Sequence, residues 1–122
     1  MTTMKTIFHI TEHQKWHQAQ ILNIYHHPSL DTEGFIHASQ PEQVVKTANR
    51  FFKNYQNLVI LFIDTAKVQA EIRYEFGEVD ELFPHIYGAL NIDAVYKVIE
   101  FQIGEDGVFY LPLEISQLID LN

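Results

Sequence analysis

With 122 residues, sixteen acidic side chains against eight basic ones and a net charge of −8, the chain gives no electrostatic footing to nonspecific nucleic-acid binding. It contains no cysteine, which excludes disulfides and thiolate metal sites and suits a cytoplasmic protein. A 47% hydrophobic, 13% aromatic composition fits one packed domain spanning 1–122, and no apolar run approaches the ~20 residues of a membrane span. The stretch Met1-Thr2-Thr3-Met4-Lys5 has neither an apolar core nor a small-residue cleavage site, so no signal peptide is expected.

The first predicted strand is Lys5–Ile10. Thr11-Glu12-His13-Gln14 then sets a hydroxyl three residues before a Gln, the pattern of a capping box. The helix it opens buries Trp16, Ala19 and either Ile21 or Leu22, and stops before Asn23 to Tyr25. Residues 26–33 read as a loop, and Gly34–Ala38 as a second strand. Ser39-Gln40-Pro41-Glu42 is another capping box, with Pro in the first turn where its missing N–H costs nothing. The helix after it runs to about Lys53 and turns Val44, Val45, Ala48, Phe51 and Phe52 to the core, with Asn49 and Arg50 beside that face.

Leu58–Ile63 is continuously apolar and of strand length, which predicts a central strand buried on both faces. Val68–Tyr74 gives a weaker strand, residues 76–82 an acidic surface loop, and Pro84–Tyr87 an extended segment. Ala94–Phe101 alternates as a strand; Gly104-Glu105-Asp106-Gly107 turns the chain, and Val108–Leu111 pairs back as a hairpin. Leu113–Leu121 closes the chain as a short helix. Strands outnumber helices, and the two main helices lie in the N-terminal half. The expected class is α+β with a mainly antiparallel sheet, not alternating βαβ.

Three histidines end short apolar runs: Ile7-Phe8-His9-Ile10-Thr11, Gly34-Phe35-Ile36-His37-Ala38-Ser39 and Phe83-Pro84-His85-Ile86-Tyr87-Gly88. Each places a titratable ring where an apolar residue would pack better. A single His at a strand end often does no more than bond the backbone; three in one setting point to a shared site. A neutral imidazole donates from one nitrogen and accepts at the other, so it can orient a hydroxyl without carrying charge. His13, His17, His26 and His27 lie in polar surroundings and carry less information. Zinc is the minor reading, because the three spacings are long and His13 and His17 lack the Glu of a metalloprotease motif. No resident metal is expected.

The flanking residues each have two readings. Thr11 and Ser39 are helix caps or ligand contacts, and Arg50 is an exposed helix residue or a phosphate holder. Arg73-Tyr74-Glu75 is a strand end with a local ion pair or the source of an acid. Tyr25 and Tyr87 are core aromatics or stacking surfaces, and Trp16 is a core anchor. Exposed aromatics such as Tyr55 or Phe109 would serve a protein partner, whose nature the sequence leaves open.

The chain resembles the domain family DUF952 over nearly its whole length. The resemblance rests on Ile7-Phe8-His9-Ile10-Thr11, Trp16, Ala19, Tyr25, Ser29-Leu30, Glu33-Gly34-Phe35-Ile36-His37-Ala38-Ser39 and Gln43. It continues through Ala48-Asn49-Arg50-Phe51-Phe52, Leu58-Val59, Asp64, Tyr74-Glu75, Phe83-Pro84-His85-Ile86-Tyr87-Gly88 and Leu90. Asn23 stands where the family often has Gly; of the non-Gly residues, Asn best tolerates the positive φ of such a turn. Ala89 stands where Pro is common.

This resemblance implies a remote, minimal ADP-ribosyltransferase-like fold: a split antiparallel sheet around a cleft that accepts NAD as substrate. It implies that His9 contacts the ribose and the nicotinamide amide, that His37 lies in the second motif, and that His85, or less favourably Glu75, takes the third position. Thr11, Ser39, Arg50 and Tyr87 would then help to hold the ligand. The implied function is NAD-dependent transfer of an ADP-ribosyl or related phosphoribosyl group in a His-lined cleft. The alternative is a non-catalytic module binding NAD, ADP-ribose or another nucleotide-derived ligand. A related branch acts on RNA 2′-phosphates with histidines in place of the Glu, but this acidic chain shows no basic platform for RNA.

Overall fold

The computed structural model describes residues 5–77 and 79–120; Met1–Met4, Glu78 and the expected helix end at Leu121 lie outside the described residues. In chain order the elements are β1 (Thr6–Glu12), α1 (His13–Leu22), a single turn α2 (Ser29–Thr32) and β2 (Ile36–His37). A 3-10 turn at Pro41–Gln43 leads into α3 (Val44–Phe51). Then come β3 (Leu58–Asp64), β4 (Glu71–Phe76), β5 (Leu82–Tyr87), β6 (Val95–Phe101) and α4 (Leu113–Asp120). The class is α+β. The described strands form two three-stranded antiparallel sheets, ordered β1-β3-β6 and β2-β5-β4.

The sheets meet where the chain leaves β2. Ala38 N–H still bonds Pro84 C=O on β5 at 3.1 Å, and the next residue, Ser39, exchanges both backbone bonds with Phe8 on β1 at 2.9 and 2.7 Å. One short extended segment therefore touches both sheets in turn.

The predicted central strand is central. Six of the seven β3 residues, Leu58 to Ile63, are buried, because both faces of its sheet are covered. Alternation divides its side chains between two cores. Val59, Leu61 and Ile63 join Ile7, Trp16, Ala19, Tyr25, Ile36, Ile86 and Leu90, between the two sheets and under α1. Leu58, Ile60 and Phe62 join Phe8, Ile10, Val44, Ala48, Phe109 and Ile115, under α3 and α4. Trp16 is the expected core anchor, and Asn23 ends α1 in the left-handed region at φ 60°.

Several expectations fail for identifiable reasons. Thr11 does not cap α1: β1 continues through it, paired with Val59, and the helix starts at His13 with no side-chain cap. Ser39 is held in its bridge to Phe8, so the capping box shifts by one residue, and Gln40 N–H bonds Gln43 Oε1 at 2.9 Å. Phe51, Ile21 and Leu22 are exposed, because α3 ends at Phe51 and α1 buries only Trp16 and Ala19. The acidic loop shrinks, since Phe76 pairs with Leu82 in a β4–β5 hairpin.

No hairpin forms at Val108–Leu111, and Phe109 is buried rather than presented to a partner. The backbone groups of Phe109 are taken by a side chain instead. Asn49 Oδ1 accepts from Phe109 N–H at 2.8 Å, and Asn49 Nδ2 donates to Phe109 C=O at 3.1 Å. That amide clip fastens the C-terminal segment to α3. Asn49→Ala leaves two backbone groups without partners, so urea denaturation should show a loss of about 1–3 kcal/mol. Hydrogen exchange at Phe109 N–H should accelerate in parallel. An unchanged midpoint would mean that water replaces the clip at no cost.

Candidate functional site

His9 lies on the inner face of β1, in line with Ile7 and Thr11, and is buried. Its Nδ1–H donates to the His37 carbonyl at 2.5 Å. Its Nε2 is 2.7 Å from Tyr25 Oη, which is 2.8 Å from Thr11 Oγ1. Burial lowers the His9 pKa from 6.5 to about 3, so the ring is neutral. With the proton on Nδ1, Nε2 can only accept. The Tyr25 O–H therefore lies between two acceptors, His9 Nε2 and Thr11 Oγ1. Burial raises the Tyr25 pKa, which keeps that proton in place. The chain of bonds runs from Thr11 through Tyr25 and His9 to the backbone of β2.

His27 flanks this chain, its ring edge-on to His9 with centroids 5.3 Å apart. Its Nδ1 accepts from Ser29 N–H at 3.0 Å, and burial lowers its pKa.

The second sheet has an apolar and a polar face. Ile36, Ile72 and Ile86 lie side by side across β2, β4 and β5 and turn to the core. The residues one step along face outward, so the row beside them reads Arg73, His85, His37. His85 is buried, with Phe35 stacked on it at 4.0 Å and 18° and the His37 ring 5.6 Å away. Glu75 Oε1 accepts from His85 Nδ1–H at 2.9 Å and from Tyr87 O–H at 2.5 Å. Those two bonds, Tyr87 first, hold the Glu75 carboxyl below its usual range, and the bond to Glu75 raises the Tyr87 phenol. Arg73 lies 4.3 Å from the centre of the Tyr87 ring and pairs with Glu71 at 2.9 Å. His37 Nε2 meets Glu33 at 2.9 Å, and both are exposed.

His37, His85, Glu75 and Tyr87 thus share one face. His9 and Thr11 reach β2 from the core side, where the His9 ring touches the backbone of His37 and not its ring. Ser39 and Arg50 lie elsewhere. The Ser39 hydroxyl turns to Thr47 on α3 at 3.4 Å. Arg50 is on α3, which packs on the Phe8 and Ile10 side of β1, opposite His9. Two shallow hollows, about 330 and 210 Å³, are lined by other residues, among them His13 and Glu100 in the first and Phe109 and Ile119 in the second. Among the described residues, no group of three His, Asp or Glu is placed to hold a metal ion.

Sequence reasoning passed over His27, Phe35 and the pairing of Tyr25 with His9. The signal for Phe35 was its parity: it stands two residues before His37, on the same side of the strand. His27 had no such signal, because a loop has no periodicity.

A family model described as "Protein of unknown function (DUF952)" matches residues 10–98. The chain belongs to the DUF952 family. Within this DUF952 domain the match takes in His37, Glu75, His85 and Tyr87, and it begins one residue after His9. The crystal structure of protein CC0527 from Caulobacter crescentus is similar, with a TM-score of 0.83 at 26% identity, covering 92% of this chain and 99% of that one. The solution NMR structure of CC0527 gives a TM-score of 0.76 at 27% identity, covering 87% and 92%. No curated protein matches the chain.

A depressed His9 pKa ties stability to pH. The unfolded chain takes up a proton near pH 6.5, whereas the folded chain resists it down to about 3. The His9 contribution is therefore complete above about pH 6.5 and is lost as pH falls towards 3, by at most about 1.4 kcal/mol per pH unit. Urea midpoints of the wild type and His9→Gln, compared at about pH 7 and about pH 4.5, should converge on acidification. A His9 ring that titrates near pH 6.5 by NMR would contradict this account.

Proposed function

We propose that this DUF952 domain binds NAD over the outer face of the second sheet and transfers or hydrolyses its ADP-ribosyl group. Breaking the nicotinamide–ribose bond sends the electron pair to nicotinamide and leaves positive charge on the sugar. A carboxylate fixed beside that carbon lowers the barrier, because it acts most strongly on the charge that develops in the transition state. The observation that carries the reading is the Glu75 carboxylate, held by His85 and Tyr87. Its Oε1 takes both bonds, and Oε2 accepts none from the described residues.

The other parts fit the same ligand. Phe35 and Tyr87 offer aromatic surface to a flat base. Arg73 can exchange its exposed partner Glu71 for a phosphate at little cost, since such pairs contribute about 0–1 kcal/mol. The two antiparallel sheets, bridged where the chain leaves β2, are the feature that supports an ADP-ribosyltransferase-like fold. His9, with both ring nitrogens spent inside the protein, would serve this site by fixing β2 and not by touching the ribose.

A second reading, a module that binds NAD or ADP-ribose without turnover, is favoured by how open the face is. The His37 side chain is 55% exposed, and neither hollow lies there, whereas bond cleavage of this kind gains from excluded water.

NAD titration followed by NMR of the His37 and His85 rings, with chromatography for free nicotinamide, separates the two. Transfer predicts release that falls by about 10²–10³ in Glu75→Gln while ADP-ribose binding persists. Binding with no release over hours selects the module. Rings unmoved by NAD and by ADP-ribose would remove both readings.

A further inference from the structure

His85 is 4% exposed, yet only one of its ring nitrogens is spent within the protein. Nδ1 donates to Glu75, while Nε2 has no hydrogen-bond partner among the described residues. Among those residues no fully buried side-chain nitrogen or oxygen lacks a partner, so Nε2 keeps an edge in contact with solvent. The carboxylate decides the tautomer. It can only accept, so Nδ1 carries the proton and Nε2 presents its lone pair. The stacked Phe35 ring fixes the imidazole plane, and the Tyr87 hydroxyl holds the Glu75 oxygen that steers it. A carboxylate behind an oriented imidazole, with the far nitrogen open, is the arrangement of a general base.

We propose that His85 Nε2 is the base that activates an oxygen nucleophile, water or an alcohol hydroxyl, as it adds to the sugar carbon; this rests on the transfer reading. The nicotinamide–ribose bond breaks and its electron pair leaves on nicotinamide. The nucleophile's oxygen bonds to the carbon, its proton passes to Nε2, and Glu75 balances the imidazolium. Water, with a pKa of about 15.7, gains from such help, whereas an uncharged amine is already nucleophilic. The acceptor class is therefore hydroxyl.

The groups facing His85 are Arg73 and Glu75 from β4, His37 with its partner Glu33 from the β2 side, and Tyr87 from its own strand.

The test uses the full chain with NAD, and methanol and methylamine as competing nucleophiles, from about pH 5 to about pH 9. Wild type should release nicotinamide at a rate that rises with pH, and should form O-methyl ADP-ribose in preference to the amine adduct. His85→Gln should lose about 10²–10⁴-fold and flatten the profile. Because that ring is packed under Phe35, long-range ¹H–¹⁵N spectra of the wild type supply a second measurement, in which Nδ1 should carry the proton. Release that survives His85→Gln with its pH profile intact overturns the base and leaves the transfer reading standing. An Nε2–H tautomer overturns the base alone, and a preference for methylamine overturns the acceptor class. No release from the wild type overturns both the base and the transfer reading.

Discussion

The bond from His9 to the His37 carbonyl is the constraint on which the second sheet depends. β2 is two residues long, and its ladder with β5 pairs only Ile36 with Ile86 and His37 with His85. So short a strand cannot hold its own position. It is held because the core side supplies an anchor: a buried neutral imidazole, itself fixed by Tyr25 and Thr11. Buried polar groups are costly when unpaired, and here each has a partner, so the network specifies one placement of the strand. Ser39 then binds Phe8 and commits the chain to the first sheet.

From that placement the outer face follows. Side chains in a strand alternate with a period of two, so putting Ile36 against the core puts His37 outside. The pairing with β5 and β4 aligns His85 and Arg73 with it, and Glu75 lies one alternation further along β4. A one-residue slip of β2 would exchange Ile36 for His37 in the core and scatter the row. The apolar core and the polar face are therefore one register, seen from its two sides.

Much of this was legible in the sequence. Continuous apolarity marked β3, because that signal is local, and the resemblance to the family marked the positive φ of Asn23. The three histidines were legible as an anomaly, since each interrupts an apolar run. Their division of labour was not. Whether a ring faces the core or solvent depends on strand parity and on which sheet each strand joins. Thr11 shows the same limit: its pattern with Gln14 is a true capping signal, overridden by pairing with Val59 about fifty residues away. Arg50 sat near the right motifs in sequence but on the wrong side of β1 in space. The Val108–Leu111 segment had strand-like residues, but the backbone groups of Phe109 within it bond the Asn49 side chain and no strand.

The strand order also carries a kinetic consequence. In the first sheet Thr6 meets Asp64 and Leu58 meets Phe101, so neither ladder has a local turn to start it. Among the described strands, only β4 and β5 form a hairpin between neighbours in sequence. Loop closure must precede any reward from the long-range pairs, which slows folding relative to a chain of the same length built from hairpins. During synthesis β1 emerges first and waits, apolar and unpaired, until Leu58–Asp64 follows it, and β3 waits in turn for β6. The interval in which those edges lie bare is when the chain is most open to misassociation.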